Sequence, residues 1–269
     1  MNDAIMEVKE STLQQQRQTA ATHEQLIIAG PCSAESEEQI IRAAGMLAAC
    51  GHTDIFRAGI WKPRTRPGSF EGVGNKGLRW LKRVKEETGL KTATEVATTN
   101  HVYEALKYGI DCLWIGARTT ANPFATQEIA NALQGADVKV CVKNPVNPDA
   151  GLWLGALERI SAAGIEDVVA IHRGFSSCTK TRYRNMPQWA IPVWLKKQLP
   201  GLPVLCDPSH IAGKRELIPH VTRRAMRMRF DGLMIEVHPD PEKAMSDAQQ
   251  QLTPAAFEHL LASRFKISS

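Results

Sequence analysis

From Leu26 onward the chain alternates eight times between a short apolar run and a stretch of helical period, and few folds accommodate that alternation. The runs are LIIAG (26–30), IFRAG (55–59), KTATEV (91–96), CLWIG (112–116), VKVCVK (138–143), DVVAIH (167–172), PVLCD (203–207) and GLMIEV (232–237). They are apolar throughout rather than alternating, as suits strands covered on both faces. The segments between them carry helical periodicity, several open on Asn, Asp or Thr, and Gly commonly follows their ends. Eight βα units at roughly 25–35 residues each predict an α/β fold, a single closed (β/α)8 barrel. A doubly wound open sheet is the alternative, and it lacks its usual sign: no G-x-G-x-x-G or P-loop follows the first strand. The first 25 residues, polar and Gln-rich, read as an arm or short helix, so the expected division is 1–25 and 26–269.

Composition narrows the functional classes. A 43% apolar chain is not disordered, and no run of about 18 apolar residues exists to span a bilayer. The N-terminus lacks a signal-peptide pattern, and the six cysteines are far apart with no C-x-x-C pair. Free thiols and a cytoplasmic location are expected. A net charge of +5 suits small anions. The basic run from Arg223 to Arg229 sits at a helix end, where it complements the dipole, and has no interleaved aromatics. No nucleic-acid or membrane partner is expected.

Barrel chemistry lies where strands run out into their loops. Arg57, Lys62, Arg64, Arg118, Lys143 and Arg173 all follow strand ends, and six cations meeting at one mouth call for bound phosphate or carboxylate. A second group, Cys32, His210 and Glu236, leaves strands one, seven and eight, which are contiguous around a closed barrel. Asp247, in the last loop, reaches the same mouth. Thiolate, imidazole and carboxylates form a donor set suited to one divalent ion such as Mn²⁺, Fe²⁺, Co²⁺ or Zn²⁺. His238 is a supporting candidate. The roles of Lys180, Arg182 and Arg184, in the loop after strand six, stay open.

IAGPCSAES (28–36), FRAGIWKPRTRPGSFEGVG (56–74), ATEV (93–96), WIGAR (114–118), VKNP (142–145), HRG (172–174), DPSH (207–210) and EVHPDPEKAMSDAQQ (236–250) resemble 3-deoxy-D-arabino-heptulosonate-7-phosphate (DAHP) synthases of the type I beta group. The resemblance implies a metal-dependent transferase of the shikimate pathway that condenses phosphoenolpyruvate with erythrose 4-phosphate and releases phosphate. It implies Cys32, His210, Glu236 and Asp247 as metal ligands, with Mn²⁺ favoured. It places phosphoenolpyruvate on Arg57, Lys62, Ala117, Arg118, Lys143 and Arg173, and erythrose 4-phosphate along Lys62, Pro63, Arg64 and Thr65. Lys62, Lys143 and Glu95 are the expected proton carriers, with a lysine pKa lowered by neighbouring arginines.

A sibling family makes 3-deoxy-D-manno-octulosonate 8-phosphate from arabinose 5-phosphate. It carries an Ala-Asn element where this chain has Pro63-Arg64-Thr65, which favours the four-carbon acceptor. A non-catalytic ligand-binding barrel is the remaining alternative. His172 departs from the Glu usual at that place in the family. Association as at least a dimer is expected. For the C-terminus there are two expectations: a form without an inhibitor-sensing domain, or a boundary before a chorismate mutase domain.

Overall fold

The computed structural model describes residues 25–63 and 68–264; the expected N-terminal arm, and Arg64 and Thr65, lie outside the described residues. Eight parallel strands close into a barrel in sequence order. They are β1 (Leu26–Gly30), β2 (Ile55–Arg57), β3 (Lys91–Val96), β4 (Cys112–Ile115), β5 (Lys139–Lys143), β6 (Val168–His172), β7 (Val204–Cys206) and β8 (Gly232–Glu236). The ring is completed where β1 pairs with β8 along Leu26↔Gly232 to Gly30↔Glu236. The helices that return the chain between consecutive strands are α1 (Glu37–Cys50), α2 (Lys76–Thr88), α3 (Thr99–Lys107), α4 (Ala117–Thr120), α5 (Pro123–Ala132), α6 (Ala150–Ala162), α7 (Ala190–Gln198), α8 (Pro208–Ala212) and α9 (Ile218–Arg227), with α10 (Pro254–Arg264) last. The expected barrel is therefore found. Two one-turn helices, α4 and α8, are additions; both begin within two residues of a strand's C-terminal end.

Local chemistry explains the helix starts. Ser36 accepts from Gln39 N, Thr98 from His101 N, Asn122 from Phe124 N and Asp149 from Leu152 N, each satisfying an orphan amide of the first turn. Asn75 precedes α2 without capping it. Its side chain instead accepts from Trp61 Nε1 at 3.3 Å and donates to Glu104, tying the long loop after β2 to α3.

Two cores follow from the two faces of the strands. Ile28, Ile55, Ala93, Cys112, Trp114, Cys141, Val169, Ile171, Leu205 and Met234 fill the barrel interior, while the larger core lies between strands and helices. Strand side chains alternate, so the next inward positions at the C-terminal ends are Gly30, Arg57, Glu95, Gly116, Lys143, Arg173, Asp207 and Glu236. Burial of apolar residues thus sets a register whose next step presents charge. All six cysteines are free thiols; Cys112, Cys141 and Cys206 are buried and Cys178 is exposed. Among the described residues, no helix is long and apolar enough to cross a membrane.

The same alternation turns His172 outward. It is fully buried against Trp189, Phe175, Phe230 and Trp153, with ring centroids 5.2, 5.7, 6.1 and 6.4 Å away. Burial pushes its pKa down from 6.5 to about 3. Between those values the unfolded chain binds a proton that the folded chain refuses. This part of the stability is fully present above pH 6.5 and declines as pH falls toward 3, by about 1.4 kcal/mol per pH unit. His172→Phe should flatten that acid limb in chemical denaturation between pH 6 and 4. Parallel slopes for the two proteins would refute the assignment.

Candidate active site

One cavity at the C-terminal mouth is lined by Arg57, Lys62, Pro63, Glu95, Gly116, Ala117, Arg118, Lys143, Arg173, Arg184, His210 and Asp247. Ten of these are residues that the sequence singles out. Arg57 ends β2 and is 1% exposed; its Nη2 donates to Cys32 O and to Glu236 Oε1, both at 3.3 Å. Its guanidinium lies 4.7 Å from the centroid of the Trp114 ring, and Lys143 Nζ lies 5.9 Å from the same ring. Trp114, one inward step below the mouth, is the apolar floor on which two cations rest. Arg57 Nε and Nη1 are buried with no hydrogen-bond partner among the described residues.

The other cations are fixed by specific acceptors. Lys62 Nζ donates to Cys32 O at 3.2 Å and lies 3.7 Å from Glu95 Oε2. Lys143 Nζ donates to Asp207 Oδ2 at 2.9 Å. Arg173 donates through its amide to Asn144 Oδ1 and through Nη1 to Asn185 Oδ1, each at 2.7 Å. Burial, and then the crowding of Arg184 and Arg118, lowers the Arg173 pKa to about 10, so it stays charged at neutral pH. The lowered lysine pKa expected from crowding is not found at Lys62. Burial and Arg57 do act against its charge, but Cys32, Glu95 and Glu236 outweigh them and its pKa is raised.

Glycine makes room for the acid on β3. A Cβ placed on Gly116 would meet Glu95 Oε1 at 2.1 Å, so the inward position on β4 has to be side-chain-free for Glu95 to occupy the mouth.

Next to Arg57 and Lys62, one donor atom each of Cys32, Glu236 and Asp247 lie within 4.8 Å of one another. Cys32 Sγ donates to Asp247 Oδ2 at 3.3 Å, and its amide donates to Gln251 Oε1 at 2.9 Å. Glu236 Oε2 accepts from Gln250 Nε2 at 2.6 Å, and the Glu236 amide donates to Ser209 Oγ at 3.0 Å. Asp247 sits in a left-handed backbone conformation, φ 52°, and its Oδ1 accepts from Arg184 Nη1 at 2.9 Å. His210 is not part of this set. Its Nδ1 lies 2.8 Å from Asp207 Oδ2 and 3.8 Å from Glu236 Oε1, because Asp207 caps α8 and holds both the amide and the ring of His210. Nε2 is the ring nitrogen left for a ligand role.

These groups carry a charge pattern suited to a cation. Burial, followed by the Glu236 carboxylate, pushes the Cys32 thiol up to about 12. Burial works against ionisation of Asp207 and Glu236 too, yet the His210 ring and Arg57, joined at Asp207 by Lys143, hold both below the usual carboxylate range. Asp247 is likewise held low by His210 and Arg184 against its burial. A thiol that neighbouring carboxylates keep protonated becomes a thiolate readily only beside a metal ion, so the donor set fits a borderline divalent ion.

Asp207, Arg184, Asn144, Asn185, Gln250, Gln251 and Trp114 belong to the site without having been assigned to it from sequence. For Asp207 and Trp114 a signal existed: both occupy inward strand positions. The amides have none, since their places depend on loop packing. His238 supports the last loop instead, accepting from Asp240 N at 2.9 Å with Nε2 3.7 Å from Glu35.

Comparison with known proteins agrees with this geometry. The DAHP synthetase I family model matches residues 9–267. A phospho-2-dehydro-3-deoxyheptonate aldolase of Thermotoga maritima is 32% identical over 90% of this chain and 69% of its own. The crystal structure of the Thermotoga maritima DAHP synthase superposes with a TM-score of 0.80 at 31% identity, covering 90% of this chain and 68% of that one. A 2-dehydro-3-deoxyphosphooctonate aldolase of Legionella pneumophila (strain Corby) is 29% identical over 88% of this chain and 89% of its own. With its closed barrel, its match to the family model over residues 9–267 and its likeness to the Thermotoga enzyme, the chain belongs to the DAHP synthetase I family and is an enzyme of that type.

Proposed function

We propose that the enzyme condenses phosphoenolpyruvate with erythrose 4-phosphate and water, giving 3-deoxy-D-arabino-heptulosonate 7-phosphate and inorganic phosphate. The observation that carries the reading is one cavity lined by Arg57, Lys62, Arg118, Lys143 and Arg173 together with Asp247, whose carboxylate lies within 4.8 Å of donor atoms of Cys32 and Glu236. Arg57 contributes two buried donors, Nε and Nη1, that have no acceptor among the described residues, and a phosphate or carboxylate oxygen would satisfy them. Lys143, Arg118 and Arg173 neutralise the remaining charge of the enol phosphate beside Ala117. Lys62 and Pro63 line the cavity, and the family resemblance assigns them, with Arg64 and Thr65, to the sugar phosphate.

Cys32, Glu236 and Asp247, with His210 through Nε2, would hold one divalent ion, Mn²⁺ by preference, which as a Lewis acid supplies polarisation of the aldehyde. The residues of the chain do the rest. The cationic wall cancels repulsion between two phosphorylated substrates and holds C3 of the enol phosphate against the aldehyde carbon. Lys62, kept protonated by its acidic neighbours, donates a proton to the aldehyde oxygen as the C3–C1 bond forms. Water then adds to the cationic C2, and loss of phosphate leaves the ketone. Glu95, beside Lys62, and Lys143 are placed to carry the proton that this water releases and the one the leaving phosphate takes up.

The first test follows phosphoenolpyruvate absorbance with either erythrose 4-phosphate or arabinose 5-phosphate, after chelator treatment and again with Mn²⁺ restored. Consumption only with metal and erythrose 4-phosphate is expected, and Cys32→Ala should abolish it. Consumption only with the pentose phosphate would select the activity named for the Legionella relative, and none with either would favour a non-catalytic barrel. A second test concerns the mouth itself. Gly116→Ala displaces Glu95 and should lower kcat about a hundredfold while leaving Mn²⁺ affinity unchanged, since Glu95 is not among the metal donors. Unaltered kcat would remove Glu95 from the mechanism.

A further inference from the structure

We propose a second anion-binding site in the cleft outside Arg184, taking a tetrahedral oxyanion, either a free ion or the phosphate of a small metabolite. The cleft, ≈ 600 Å³, lies between the loop after β6 and the segment after α8, and Arg182, Tyr183, Arg184, Gly213, Lys214 and Asp247 line it. The loop's ends are pinned by mutual amide-to-carbonyl bonds between Phe175 and Met186, both 2.8 Å. The charge in the cleft is one-sided: three cations face Asp247, the one acid among its lining residues, which Arg184 already pairs with at 2.9 Å.

Two of the three cations, Arg182 and Arg184, are held by contacts within the protein. The Arg182 guanidinium lies 4.8 Å from the Tyr183 ring centroid, donates to the Tyr183 hydroxyl at 2.6 Å, and meets His220 Nε2 at 2.9 Å. Arg184 is seated by its amide, which donates to Ala212 O, and by Gly213, φ 72°, where a Cβ would meet Arg184 Cβ at 2.4 Å. Its Nη1 also donates to Gln250 Oε1 at 2.6 Å. An anion arriving here meets cations whose freedom is already reduced, which favours binding over a generic basic surface.

Arg184 also lines the active-site cavity, so it is the wall the two spaces share. If Asp247 serves a metal ion, as the functional reading above has it, the ion draws on the carboxylate that Arg184 otherwise pairs with. Arg184 is then released toward the outer cleft. Metal and anion therefore strengthen each other's binding, reciprocally.

Calorimetric titration of sulfate, and separately of ribose 5-phosphate, into the full chain already saturated with phosphoenolpyruvate tests the site. Two binding events are expected, one at the open sugar-phosphate subsite and one in the cleft, and only the second is weakened, at least about tenfold, in Arg182→Ala/Lys214→Ala. Tighter binding of the sugar phosphate points to a metabolite, and equal binding to the free ion. Both substituted residues are exposed, and Arg182→Gln/Lys214→Gln provides a second variant of similar bulk. With Mn²⁺ present, sulfate affinity should rise at least about fivefold. Absence of the second event in the wild-type chain, or wild-type affinity for it in both variants, overturns the site. Bound Mn²⁺ that leaves sulfate affinity unchanged overturns the coupling. Failure of phosphoenolpyruvate or Mn²⁺ to bind is read in the loading titrations and counts against the functional reading, while the comparison of wild type with variant still decides the cleft.

Discussion

A barrel of eight parallel strands can aim its last inward side chains only at one another, and the rest of the site depends on that constraint. The interior is filled up to Trp114, Cys141, Ile171 and their neighbours by apolar groups, and the next inward step has nowhere else to point. Gly30 on β1 and Gly116 just beyond β4 thin this ring. Charged residues of β2, β3, β5 and β8, joined by Arg173 just beyond β6 and Asp207 just beyond β7, complete it.

The ring is stable because its charges are interleaved. Arg57 pairs with Glu236, Lys62 with Glu95, Lys143 with Asp207, and Arg184 with Asp247, at 3.3, 3.7, 2.9 and 2.9 Å. Most of these groups are nearly inaccessible to water, so desolvation offsets much of what each pair gains, and such pairs are weak sources of folding stability. Their effect is on function. Each cation keeps its direction while still able to exchange a carboxylate for a substrate oxyanion, and Glu236 and Asp247 are kept ionised beside a thiol that needs a metal to join them. Asp207 connects the two halves, holding Lys143 on the cationic side and the His210 ring on the donor side.

Much of this was legible in the order of residues. Eight apolar runs separated by helical periods imply a closed barrel because apolar faces must be covered, and chain order alone sets which strands neighbour. Charge at strand ends follows from the same reading, since Arg57, Lys143 and Glu236 each interrupt an apolar run at its last positions. The pKa of Lys62 was misjudged because crowding by arginines is visible in a list of residues, whereas a carboxylate 3.7 Å away is a matter of packing. His172 is similar: adjacent to Arg173 in sequence, it faces the opposite side of the strand and belongs to an aromatic core.

The sequence by itself determined the barrel, its strand order, and the identity of the cations, thiol and carboxylates at its mouth, because hydrophobic burial and strand alternation act locally and repeat. Tertiary structure decided which of these groups meet. Arg184 reaches Asp247 across 63 residues and Gln250 reaches Glu236 across 14, contacts that no local pattern encodes. It decided as well that His210 turns Nδ1 to Asp207 rather than into the set formed by Cys32, Glu236 and Asp247. Distances between loops depend on how every helix packs, and that is a property of the closed ring rather than of any one segment.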